Sequence, residues 1–133
     1  MADLAGRDDL RRIAERVIET HAFALERAPQ AFPTLARAAL AAERGFAVAV
    51  IVGDPSDPAT RALAARARLV HAPTDAVVVA APGSAPPAGL APSWLAGREP
   101  QGGRPTAWIC RGVTCSLPIL DPDVIASEPA ALR

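Results

Sequence analysis

A chain of 133 residues has room for one hydrophobic core and not for two, and with half its residues hydrophobic and 21% charged it is neither disordered nor fibrous. Fourteen basic residues balance fourteen acidic ones, which excludes a net field that would gather nucleic acid or an anionic membrane. All fourteen are Arg and they are scattered along the chain, the pattern of GC-rich coding rather than of a phosphate-binding surface. With three Phe, two Trp and no Tyr, the core must come from Val, Leu, Ile and Ala. No apolar run approaches the ~18 residues of a membrane span. The start, Met1-Ala2-Asp3-Leu4, lacks the basic-then-apolar order of a secretory leader, and two cysteines are too few for a secreted disulfide scaffold. A cytoplasmic location is expected.

In chain order, Leu10, Ile13, Val17, His21 and Leu25 recur every three or four residues, with Arg11, Arg12, Glu15, Arg16 and Glu19 off that line. This predicts a one-faced helix from about Asp9 to Ala28, capped by Asp8 or Asp9 and stopped by Pro29. A second helix is expected from Pro33, with Leu35, Ala38, Ala39 and Ala42 inward and Gly45 as its left-handed end. Phe46 to Val52 is apolar without alternation and flanked by glycines, as in a strand covered on both faces. Asp57 and Pro58 then open a third helix, to about Arg68, with Leu63 and Ala67 inside, and Ala76 to Ala81 is a second buried strand. Strand, helix, strand in this order implies a parallel crossover.

Ten of the 23 residues from Pro82 to Arg104 are Pro or Gly, so this stretch is a loop, with Trp94 and Leu95 pinning one turn of it to the body. Thr106 to Cys110 and Val113 to Leu117 read as a hairpin around Arg111-Gly112, ended by Pro118. Asp121-Pro122 opens a short helix over Val124 and Ile125. The fold class is α/β: a small, mostly parallel sheet with covering helices, two N-terminal helices and a C-terminal β-hairpin. Residues 1–133 form a single domain, a helical pair at 1–45 and an α/β region at 46–133 with its loop at 82–104.

Thr106-Ala107-Trp108-Ile109-Cys110, then Thr114-Cys115, Pro118 and Asp121-Pro122 are similar to the C-terminal end of the thioredoxin-domain-containing proteins related to spermatogenesis-associated proteins. Val50-Ile51-Val52-Gly53-Asp54 and Ala31-Phe32-Pro33 support the resemblance, which covers nearly the whole chain. That family joins a thioredoxin-like domain, an epimerase-like α/α toroid and a small α/β region. On this resemblance Leu10 to Leu40 would be the last toroid helices, or a copy of them, and Phe46 onward the α/β region. The thioredoxin-like domain and its CxxC lie outside this sequence, so the resemblance implies an accessory domain rather than a catalytic one.

The chemistry-bearing residues are few. A four-residue loop from Arg111 to Thr114 would set Cys110 and Cys115 opposite each other, within reach of a disulfide. Two readings stay open there: reduced thiols packing as small apolar groups, or a structural or redox disulfide with Arg111 favouring a thiolate. The spacing is not CxxC. Gly53 and Asp54, at the end of the first strand, form a possible ligand turn of the kind that holds anions in parallel sheets, although no phosphate-binding motif accompanies them. His21, on the helical stripe, and His71, at a loop, match no metal-ligand spacing with the cysteines, so no metal and no cofactor is expected. No serine lies in a nucleophile motif and no carboxylate pair stands apart, so no catalytic site is expected either. The expected partners are neighbouring domains of the same protein or a second copy docking through the N-terminal helices.

Overall fold

The computed structural model describes residues 2–71, 75–112 and 114–126. Its centre is β1 (Ala47–Val52), in which all six residues are buried. Burial follows from position. β2 (Ala76–Ala80) pairs with β1 in parallel, from Val48 opposite Ala76 to Val52 opposite Ala80. On the other side β3 (Thr106–Arg111) runs antiparallel, from Ala47 opposite Arg111 to Val52 opposite Thr106. The short β4 (Thr114–Cys115) continues antiparallel beyond β3, giving the order β2-β1-β3-β4. The class is α/β as the sequence implies. The sheet is mixed, its parallel pairing confined to the β1–β2 unit.

Strand geometry divides the core in two. Ala49, Ile51, Ala107 and Ile109 pack with Leu63, Ala64, Ala67 and Ile125 on one face. Val48, Val50, Val52, Trp108 and Cys110 pack with Leu4, Phe46, Trp94 and Leu95 on the other. The first face is covered by α5 (Pro58–Val70), whose N-terminus is closed by the Asp57 carboxylate accepting from the Ala59 N–H at 2.8 Å. Beside it lies a 3-10 turn at Pro122–Ala126, where a helix is expected; the turn still buries Ile125 completely. At the far end of α5, the buried His71 ring lies 3.4 Å from Asp75, which in turn accepts from the Ala47 N–H at 3.3 Å.

The loop covers the second face. Pro92–Trp94 forms a 3-10 turn, and the indole N–H of Trp94 donates to the Asp3 carbonyl at 3.3 Å. The Ala91 N–H donates to Leu4 at 2.8 Å, so the loop holds the four-residue helix α1 (Ala2–Ala5) against the sheet. A helix this short leaves no periodicity to read.

The expected helix from Asp9 to Ala28 is interrupted. α2 (Asp8–Thr20) ends where Thr20 turns its hydroxyl back onto the Arg16 carbonyl at 2.7 Å, and α3 (Ala22–Arg27) restarts after His21. A hydroxyl bonded four residues back is a common companion of a bend. His21, which falls on the apolar stripe, is exposed at this break. α4 (Pro33–Arg44) begins with proline and ends at Gly45, whose φ of +75° suits glycine. No described residue of α1 to α4 is buried, and Ile13 and Phe23 are 55% and 70% exposed. Among the described residues no helix is long and apolar enough to cross a membrane.

Gly53 has the least room of the described glycines. Its N–H extends the parallel ladder to the Ala80 carbonyl at 3.0 Å, and a Cβ there would stand 2.8 Å from Pro105 and closer still to the Thr60 hydroxyl. Gly53→Ala should therefore destabilise the fold by about 1–3 kcal/mol through overpacking. A fall in the urea midpoint at unchanged slope would register it; an unchanged midpoint would mean that α5 is not held against the end of β1.

Candidate functional site

The cysteine pair is set by hairpin register. Cys110 lies on β3 opposite Cys115 on β4, and Arg111 lies opposite Thr114, so the ladder runs one pair further than a four-residue loop would allow. Gly112, at φ +58°, begins the connection. Val113, expected to start the returning strand, lies outside the described residues. The Ser116 N–H donates to the Ile109 carbonyl at 2.8 Å, and Ser116 Oγ accepts from the Ile109 N–H at 3.0 Å. That closely bonded pair makes its neighbour, Cys110–Cys115, a position without cross-strand backbone bonds, where side chains come closest. The two Cα atoms are 3.9 Å apart and the sulfurs are joined as a disulfide.

The two sulfurs differ in exposure. Cys110 is fully buried in the second cluster, paired beside Val48 of β1 and clustered with Trp108. Cys115 is half-buried on the edge strand. Both meet one cation. Arg98 Nη2 stands 3.0 Å from Cys115 Sγ and 3.4 Å from Cys110 Sγ. Its Nη1 donates to the carbonyls of Trp94 at 2.9 Å, Ser93 at 3.1 Å and Ala96 at 3.3 Å, which close the 3-10 turn of the loop. Burial lowers the Arg98 guanidinium from its ordinary value, but a guanidinium keeps its proton in proteins. No carboxylate pairs with it among the described residues.

Sequence reasoning put the wrong arginine beside the thiols. Arg111, adjacent to Cys110 in the chain, sends its Nη1 to the carbonyls of Arg44 at 3.0 Å and Gly45 at 2.8 Å, closing the C-terminus of α4. Side chains alternate along a strand, so the neighbour of a cysteine points away from it. Arg98 is 12 and 17 residues from its two sulfurs, and only the pinning of Trp94 and Leu95 brings it over the hairpin.

The other sequence candidates fall elsewhere. The Asp54 carboxylate accepts from the Ser56 N–H at 2.8 Å and the Ser56 hydroxyl at 2.7 Å, which holds it below the usual carboxylate range. With Asp57 capping α5, two carboxylates occupy the Gly53–Asp54 turn, and they repel the anion for which it was considered. His71 is engaged with Asp75, and among the described residues no three His, Cys, Asp or Glu groups converge as a metal site. Two concavities accompany the cysteine pair. A pocket of about 70 Å³ between Val52, Ala80, Ser84 and Arg98 lies at the C-terminal ends of the parallel strands. A groove of about 760 Å³ runs between α1, α2 and α4, floored by Phe46 and Trp94.

Comparison with known proteins adds no relative: no protein-family model, no curated protein and no solved structure matches the chain.

Closing so short a loop removes about 2 kcal/mol of unfolded-state entropy. Reductant should therefore lower the melting temperature by several degrees, and the Cys110→Ala/Cys115→Ala variant should melt alike with and without it. Equal melting of the wild type in both conditions would show that the pair is not oxidised in solution.

Proposed function

We propose that the chain is a non-catalytic accessory or interaction domain, whose N-terminal helices dock on a neighbouring α/α domain of the same protein. The observation that carries this reading is the helical layer over residues 2–44, in which no described residue is buried. Leu10, Ile13 and Val17 form an exposed stripe along α2, and the large groove beside it is lined by Leu10, Ala14, Ile18, Ala38, Ala42 and Trp94. Apolar faces of this extent on a small domain mark contact surfaces. The resemblance to the C-terminal region of thioredoxin-domain-containing proteins supplies the partner, since there these helices would close an α/α toroid. A cytoplasmic setting belongs to the same reading.

Released from such a neighbour, the chain should cover its stripe with a second copy. Light scattering at rising concentration should show a dimer, and Ile13→Glu with Val17→Glu should return it to a monomer of unchanged circular dichroism. A wild-type chain that stays monomeric at several hundred micromolar and shows protected α2 amides would contradict the reading.

The second reading is a thiol/disulfide redox module. It is favoured by Arg98, whose single guanidinium nitrogen reaches both sulfurs. In a reducing compartment disulfides are rare and mostly transient or catalytic, which makes the pair's reactivity the question to ask.

A further inference from the structure

We propose that Cys110–Cys115 is a polarised thiol-exchange site: an external thiolate attacks Cys115, Cys110 leaves as a thiolate, and Arg98 holds that charge. The inference rests on the thiol/disulfide reading and adds to it a direction, a substrate class and a positioning residue.

Exposure sets the direction. Cys115, on the edge strand, is only half-buried, whereas Cys110 has no exposed surface. Attack along the S–S axis on Cys115 pushes the electron pair into the interior. A buried thiolate without a counter-charge is costly, and apolar surroundings such as Val48, Val50 and Trp108 would raise its pKa. The cation is already in place, with Arg98 Nη2 between the two sulfurs, 3.0 Å from Cys115 Sγ and 3.4 Å from Cys110 Sγ, and its Nη1 bonds made to neutral carbonyls. A leaving thiol of lower pKa leaves faster, so the arginine accelerates the step it faces.

The balanced sequence has two displacements. A thiolate RS⁻ bonds to Cys115 Sγ as the S–S bond breaks, giving the mixed disulfide Cys115–S–S–R and the Cys110 thiolate. A second RS⁻ then attacks the R sulfur, forming R–S–S–R and releasing the Cys115 thiolate. Two thiols are oxidised to one disulfide, the protein disulfide is reduced to two thiols, and protons from solvent neutralise the thiolates. The substrate class is a small or flexible thiol able to reach an edge strand, and the reverse sequence returns the pair to its oxidised form.

The test uses the oxidised full chain and reduced glutathione, quenched with acid at short times and mapped by peptide mass. The expected adduct is on Cys115, with none on Cys110. Arg98→Gln should slow reduction about three- to tenfold at pH 7, and Arg98→Lys should recover part of the loss. An adduct on Cys110, or Arg98→Gln reduced at the wild-type rate, overturns the polarity while leaving an exchanging disulfide. Failure to form any adduct, with no disulfide regained in oxidised glutathione, overturns the redox reading beneath it. Adduct mapping needs only the wild-type chain, so it decides even if the arginine variants fold poorly.

Discussion

The complete burial of β1 is the constraint on which the rest of the molecule depends. Its six side chains are all aliphatic, so neither face of the strand can meet water without losing about 1.5–3 kcal/mol for each large residue exposed. Both faces must therefore be covered, and the chain covers them by different means. One receives the regular helix α5 and the buried Ile125. The other receives Leu4, Trp94 and Leu95, from a one-turn helix and a proline-rich loop. The cysteine pair lies on this second face, where irregular backbone needs a side chain to fasten it. Arg98 does so by collecting three loop carbonyls with Nη1, and its Nη2 falls on the sulfurs as a consequence.

The same face meets the helical layer. Trp94 belongs to the second cluster, bonds to Asp3 and contributes to the floor of the large groove. Residues 2–44 are thus tied to the sheet through α1, Phe46 and the Arg111 cap on α4, while Leu10, Ile13 and Val17 of α2 and Phe23 of α3 stay exposed. The arrangement, a core complete in itself beside a helical layer left exposed, is the one the proposed accessory role would use. The exposed helical stripe and the thiol pair are two separate features of one chain, joined physically by the loop that carries both Trp94 and Arg98.

What could be read from the sequence was what local chemistry decides. Asp57-Pro58, Pro33 and Gly45 mark helix ends because a cap, a fixed φ and a left-handed residue act within a turn, and all three hold. The unalternating FAVAVIV stretch identified the central strand because double burial leaves no polar position. The opposition of Cys110 and Cys115 was visible in their spacing, although the register came from a shorter loop than supposed. Non-local features were not legible. Nothing near Thr106 announces that β3 will lie antiparallel beside β1, and nothing near Arg98 announces two sulfurs. α1 is too short for a period, and the break at His21 falls within an unbroken apolar stripe that a straight helix would also produce. The Gly53–Asp54 turn was legible as a turn; its own carboxylates decide what it can hold.

The central claim is that a self-sufficient sheet carries an uncovered helical layer. Native-state hydrogen exchange on the dilute, monomeric chain tests it most directly. Amides of β1 and β3 should exchange only through global unfolding, while those of α2 and α4 should exchange orders of magnitude faster through local opening. Equal protection across α2, α4 and β1 would contradict the account, because it would make the helices part of the same cooperative core.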